Sequence, residues 1–331
     1  MAPVPAPATS PGEFVPATPS APLRQYANFY LGFREAGPPV RRRVLPSSGV
    51  VVVLAFDHAV MIAPGRTQPL TRQSSCVLGL WQDEAVCLDD GCSHGLLLEL
   101  TPLGATVLFG ISGTELLGRV VPLDSLIGAE ADALTSRLAE QPTWASCFAV
   151  LEAWLRDRLA AGPQPHAEVV WAWRRLAVTG GRVPIGTLAE ELDCSRRHLA
   201  QRFGQSVGVT PKTYGRLLRF ERAITRLYGG DAQLGAVAAD CGYFDQAHFN
   251  HDVHAFVGAP PTALLAERLP DGTGFGRLEA GSASEGGAGR PSPTLLYAAL
   301  RGIDPGAWRP DPGGASTSPA ASTTEQRRTD E

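Results

Sequence analysis

Between Val183 and Pro261 the chain writes one pattern twice. Each copy is a short helix with an apolar face, a break, a capping residue and a second helix with a polar outer face, and one long amphipathic segment joins them. In the first copy Leu188, Ala189 and Leu192 share a face of a short helix that breaks at Asp193-Cys194-Ser195. The Ser195 hydroxyl can accept a free backbone N–H of the next helix and so start it. In that helix Leu199 and Phe203 stand four apart as a buried stripe, while Arg196, Arg197, Gln201 and Gln205 point outward past the small Ala200 and Gly204. In the second copy Leu234, Val237 and Ala238 lead to Cys241-Gly242-Tyr243, where glycine allows a backbone conformation closed to most residues. Asp245 then caps a helix with Phe249, Val253 and Phe256 inside and Ala247, Asn250, His251 and His254 outside.

Between the copies Pro211 sits where a helix can start, Leu217, Phe220, Ile224 and Leu227 repeat every three or four residues, and Gly229-Gly230 ends the run. Such a helix rises roughly 26 Å at about 1.5 Å per residue. That length holds two outer helices near successive major grooves on one side of a duplex, about 34 Å apart. Arg pairs bidentately with guanine and Gln with adenine. The stretch is therefore expected to be two helix-turn-helix units that read DNA.

At these residues the stretch resembles the DNA-binding domain of the AraC family of bacterial transcription regulators. The resemblance runs through Leu188-Ala189, Cys194-Ser195, His198-Leu199, Phe203, Gly208, Thr210-Pro211, Tyr214, Arg219, Ala223 and Leu227. It continues through Val237-Ala238, Cys241-Gly242-Tyr243, Asp245, His248-Phe249, Phe256, Gly258 and Pro260-Pro261. Two spaced motifs with their joining helix are far more specific than a lone helix-turn-helix match. The resemblance implies sequence-specific transcriptional regulation and double-stranded DNA as the partner, with RNA polymerase as a second partner for an activator. Two positions depart from the family pattern: Cys194 stands where a turn glycine is usual, and His251 where a basic residue is common.

The net charge of −4 conceals an uneven distribution. From Arg182 to Tyr228 there are nine basic and four acidic residues, whereas Gly229 to Arg268 has one basic and five acidic. Phosphate attraction is expected mainly from the first copy, with the second supplying shape and base contacts. Arg196, Arg197 and Gln201 are the expected base readers of the first helix, and Gln246, Asn250 and His251 those of the second. Arg202, Thr210, Lys212 and Arg216 are the expected phosphate contacts.

Ahead of this region, Met1 to Pro22 is rich in Pro and Ala and carries one charge, so 1–22 is expected to be a disordered lead. It lacks the basic start of an export signal, no apolar run approaches a bilayer span, and the six cysteines are read as reduced thiols of a cytoplasmic protein. Arg41-Arg42-Arg43 is read as a solvated turn before a strand. Residues 49–56, 75–81 and 94–100 read as strands, and 105–110, 113–117, 129–138 and 144–159 as helices. The expected fold is α+β in two domains: a small β-sheet or incomplete barrel with helices over 23–160, a linker at 161–168, and an all-α double helix-turn-helix domain over 169–268. After about Leu269 composition turns to Gly, Ser, Pro, Ala and Thr, so 269–331 is expected to be a disordered tail broken by an apolar island at 294–308.

The amino-terminal half is also similar to that of one AraC subgroup through Gly79-Leu80, Leu98 to Ala105, Leu108-Phe109-Gly110 and Val120 to Asp124. The expected role is control by a small-molecule effector held between sheet and helices, with Trp81 and Phe109 beside it, and pairing with a second copy of the chain. The alternative is a ligand-independent regulator whose first half only dimerises or binds a protein partner. No metal or cofactor is expected: Cys87-x4-Cys92-x-His94 lacks the four ligands of a structural zinc site, and His248, His251 and His254 do not share one face. Catalysis is not expected either, because the first half has no nucleophile elbow, phosphate loop or HExxH pattern.

Overall fold

Alternation along the strands decides how the first half is layered. The computed structural model describes residues 13–36, 40–64, 68–89, 92–228, 233–267 and 276–278. Nine strands come first: β1 (Glu13–Ala17), β2 (Ala27–Ala36), β3 (Val40–Val44), β4 (Val50–Ala55), β5 (Val60–Ala63), β6 (Thr71–Gln73), β7 (Cys76–Leu78), β8 (Ala85–Asp89) and β9 (Cys92–Leu100). Then follow α1 (Pro102–Phe109), α2 (Gly113–Leu116), β10 (Val120–Pro122), α3 (Asp124–Ile127), α4 (Glu130–Ala139) and α5 (Trp144–Ala161). One antiparallel sheet has the order β1-β2-β9-β4-β7-β10. Its even-numbered residues on β4 and β9, Val52, Leu54, Leu96 and Leu98, enter the core shared with the helices. The odd-numbered Val53 joins Ile62 of β5, Cys76, Leu78 and Trp81 in a second core on the opposite face. A sheet buried on both faces reads as a continuous apolar run, which is why β4 is spelled Val-Val-Val-Val-Leu-Ala.

The expected small sheet or incomplete barrel takes the form of two open sheets sharing this second core. The second has the order β11-β3-β8-β5-β6, and β11 (Gly276–Leu278) pairs antiparallel with β3. This strand lies within the stretch expected to be a tail, and β1 lies within the expected disordered lead, where Glu13 to Ala17 pairs with Arg34 to Tyr30. The island at 294–308 lies outside the described residues. Arg41-Arg42-Arg43 is not a turn but the middle of β3. Arg42 is buried on Glu35 at 3.2 Å, and Arg43 pairs with Glu84 and, at 2.6 Å, with Glu267. Charge runs are usually solvated; here Arg41 is exposed, while Arg42 and Arg43 are drawn in by carboxylates.

The second half is all helical: α6 (Ala167–Val178), α7 (Ile185–Glu191), α8 (Arg196–Val207), α9 (Pro211–Tyr228), α10 (Leu234–Asp240), α11 (Gln246–Val257) and α12 (Pro261–Ala266). Its core divides along α9. Tyr214 belongs with α6 to α8 and the first half, whereas Leu217, Phe220, Ala223, Ile224 and Leu227 belong with α10 to α12. The first of these clusters runs without interruption from Leu23 to Tyr214, so the sheet, α1 to α5 and the first helix-turn-helix share one core.

The contacts between the halves reach the ends of both outer helices. Thr106 Oγ1 and Ser112 Oγ donate to the Ser206 and Gln205 carbonyls at the end of α8, each at 2.7 Å. Gly113 lies so close to α8 that a Cβ there would stand 2.5 Å from the Gly208 nitrogen. At the other end Arg43 donates to the Val257 carbonyl closing α11 at 2.9 Å. In the middle the Glu221 carboxylate of α9, buried, accepts from the Ser48 N–H and hydroxyl, both at 2.6 Å.

Candidate nucleic-acid interface

The two copies are built alike. In the first, the Cys194 N–H bonds the Ala189 carbonyl at 3.0 Å, closing α7; in the second, the Tyr243 N–H bonds the Ala238 carbonyl at the same distance, closing α10. A left-handed residue precedes each closing bond: Asp193 at φ 48° and Gly242 at φ 83°. The turn conformation thus falls on Asp193 and leaves Cys194, the departure from the family pattern, in an ordinary backbone region; Asp tolerates the left-handed region better than most residues. The outer helices are then capped as the sequence requires. Ser195 Oγ accepts from the His198 N–H at 3.1 Å and Asp245 Oδ1 from the His248 N–H at 2.7 Å. Each helix ends on a left-handed glycine, Gly208 and Gly258, followed by a proline-started helix.

Leu199 and Phe203 of α8, and Phe249, Val253 and Phe256 of α11, are buried, so each helix shows its polar face outward. On α8, Arg196, Arg197 and Gln201 are exposed, with the Arg196 guanidinium lying against Gly186 of α7. On α11, Gln246 and His251 are exposed, but Asn250 is half-buried and its Oδ1 is buried with no hydrogen-bond partner among the described residues. A bidentate contact with adenine needs that oxygen, so Asn250 must turn its amide to make one. His248 is exposed and packs edge-on against the Tyr243 ring.

The expected phosphate contacts divide more sharply. Lys212 is exposed at the start of α9. Thr210 is exposed too, and its hydroxyl accepts from the Thr213 N–H at 3.2 Å, which caps α9. Arg202 leans back on His166 at 2.9 Å and Glu168 at 3.7 Å. Arg216, expected on a phosphate, instead donates from Nε and Nη2 to Asp252 Oδ1 of α11 at 3.1 and 2.8 Å. Its guanidinium also lies over the Phe256 ring. The same happens along α9: Arg219 bonds the Gly181 carbonyl at 2.6 Å and stacks over Tyr243, and Arg226 pairs with Asp240. Part of the charge contrast between the copies is thus spent internally, with arginines of α9 clamping α10 and α11 by their acids.

Sequence reasoning overlooked Phe244, which is 92% exposed between the buried Tyr243 and the cap Asp245. The count that reveals it is simple. From the closing residue to the cap is one step in the first copy, Cys194 to Ser195, and two in the second, Tyr243 to Asp245.

Burial pushes Cys76 up to about 12 and Cys147 up to about 11, and Cys194 and Cys241 are raised as well, first by burial. Among the described residues no group of three or more His, Cys, Asp and Glu is placed to hold a metal ion, and no helix is long and apolar enough to cross a membrane.

A duplicated helix-turn-helix mounted on one shared helix defines a class of DNA-binding proteins, and residues 188–267 match the family model of a helix-turn-helix domain. The stretch is an AraC-type helix-turn-helix domain, which makes the protein a DNA-binding regulator of transcription. Among solved structures the chain is similar to ToxT from Vibrio cholerae O395, at 9% identity and a TM-score of 0.41 over 73% of this chain and 98% of that one. It is similar also to unsaturated-fatty-acid-bound ToxT from Vibrio cholerae strain SCE256, at 9% identity and a TM-score of 0.40 over 70% of this chain and 91% of that one. No curated protein matches.

Proposed function

We propose that the protein is a sequence-specific regulator that reads one asymmetric duplex site with both outer helices, α8 through Arg196, Arg197 and Gln201 and α11 through Gln246, Asn250 and His251. The observation that carries this reading is the pair of capped helices with outward polar faces, both packed on the 18-residue α9, α8 against Tyr214 and α11 against Arg216 and Phe220. Lys212 and the Thr210 region meet phosphates, Arg202 joins them on leaving Glu168, and Arg216 is assigned to the clamp on Asp252 instead. Regulation is by binding and not by catalysis, in the cytoplasm, with RNA polymerase as the partner if binding activates.

The division at 161–168 is retained as a functional boundary, since α5 ends at Ala161 and α6 begins at Ala167. Across it, the first half governs the heads through the contacts at Thr106, Ser112 and Arg43. A cleft of about 280 Å³ beside β2, β9 and the start of α5, lined by Arg34, Phe56, His94 and Trp144 among others, is the proposed effector site. Trp144 lies on α5, α5 packs on α1, and α1 holds the end of α8 through Thr106, so a ligand that moves α5 shifts the first head.

Selection from a random duplex library with the full chain, at fixed salt, tests the reading. An enriched motif of two short blocks about one helical turn apart supports it; no enrichment, with or without cell extract to supply an effector, overturns it. For the coupling, Thr106→Val with Ser112→Ala is expected to change the affinity of the full chain for its selected site. Unchanged affinity would remove the first half from control of α8.

A further inference from the structure

We propose that Phe244 is a specificity-determining residue that reads the 5-methyl group of a thymine in the major groove. The inference rests on α11 being the second recognition helix, and it concerns a residue outside the helix's polar face.

Phe244 is set apart by position and exposure. Superposing the closing bonds, Cys194 to Ala189 and Tyr243 to Ala238, pairs Asp193 with Gly242 and Cys194 with Tyr243, and leaves Phe244 as one residue added before the cap. It is 92% exposed, and the only other exposed large hydrophobic residue among those described is Val178 at 58%. Its neighbour Tyr243 is 4% exposed, with its ring 5.2 Å from that of Phe249 and Arg219 stacked on it. Tyr243 therefore faces the core, while Phe244, at the bend before the cap, faces solvent. The Phe244 N–H donates to His248 Nδ1 at 3.4 Å, tying the segment to the first turn of α11. The exposed ring is thus held by its backbone at the end of the helix that enters the groove, next to Gln246 and Ala247.

Chemistry supplies the occupant. The outer face of α11 carries no Arg or Lys, so it cannot make the commonest contact, a cation on guanine. Gln, Asn and an apolar ring instead suit A·T pairs, whose major-groove edge offers adenine N6 and N7 to amides and the thymine methyl to an apolar side chain. A phenyl ring left in water forfeits the burial available to it, and on the major-groove edge of an A·T pair the apolar group offered to it is that methyl.

The test uses the full chain and its selected duplex. Each thymine in the block assigned to α11 is replaced in turn by deoxyuridine, which keeps every hydrogen bond and removes only the methyl, and affinity is measured for the natural protein, Phe244→Ala and Phe244→Leu. At one thymine the natural protein is expected to lose roughly tenfold, at the low end of what a specific base contact is worth. Phe244→Ala should already be weaker and insensitive to that change, and Phe244→Leu intermediate. Equal losses in the natural protein and Phe244→Ala at every thymine, or none in either, would overturn the proposal. So would a Phe244→Ala protein that binds normally but changes its state of association, which would make the ring a contact between proteins. Failure of the natural protein to bind any duplex would instead defeat the DNA-reading assignment on which the proposal stands.

Discussion

Arg197 and Arg216 carry the same charge and have opposite fates. Arg197 is exposed on α8, whereas Arg216 is 29% exposed and fixed on Asp252, itself 3% exposed. Arg197→Ala should therefore cost DNA binding about 1–3 kcal/mol and relax preference at one base position, whereas Lys212→Ala should weaken all sequences alike and lower the salt slope by about one. Competition binding against single-base variants of the selected site, repeated at several salt concentrations, separates the two; a uniform loss for Arg197→Ala would strike it from the base readers. Asp252→Ala, by contrast, leaves a half-buried guanidinium without its acid and should cost folding stability about 3 kcal/mol, read by urea denaturation. A loss below half a kcal/mol would mean the clamp is ornamental. Outward faces, buried stripes and both caps were legible because each is a local matter of spacing. The fate of Arg216 was not, since its acid lies 36 positions away and nothing local distinguishes an arginine that clamps from one that waits for phosphate.

Elements were legible where one periodicity decided them. Helices α4 and α5 lie within two residues of their expected bounds, β4 and β7 fall inside the expected runs, and β9 starts two residues ahead of its own. Two of the strands missed have separate causes: β3 is a run of arginines, two of them ion-paired to carboxylates, and β1 lies in a Pro-rich stretch yet pairs fully with β2. Two elements invite tests. Gly113→Ala would drive a Cβ into the Val207 carbonyl carbon at 2.6 Å and the Ser206 oxygen at 2.7 Å, parting α2 from α8. It should lower stability by about 1–3 kcal/mol, measured as a fall in melting temperature; an unchanged melting temperature would show that the two helices do not depend on each other. On β9, burial first and then the Arg34 cation hold the His94 pKa below 6.5, against the pull of Asp57 and with His58 adding to the effect. The unfolded chain binds this proton first, so stability climbs with pH from the folded pKa up to 6.5 and is level above it. His94→Gln should flatten that limb of the melting curve, and an identical pH profile would show that the imidazole is not held below its ordinary value.

At the scale of the whole molecule, one apolar cluster runs from Leu23 to Tyr214 across the 161–168 boundary between the two halves. A linker is read from composition, but whether two halves share a core depends on faces that meet only after folding. One cluster joins the sheet, α1 to α5 and the first head, so the full chain should melt in a single calorimetric transition, with the second head following it through α9. Two resolved transitions, one belonging to 23–160, would show that the halves are energetically separate.

Two heads on one shared helix are placed to read two stretches of the same face of DNA. Hydroxyl-radical footprinting of the full chain on its selected duplex addresses this directly. The predicted result is two protected windows centred about 10 base pairs apart on one face of the helix, the α8 window lost with Arg197→Ala and the α11 window with Phe244→Ala. A single window, or two that vanish together with either substitution, would contradict it.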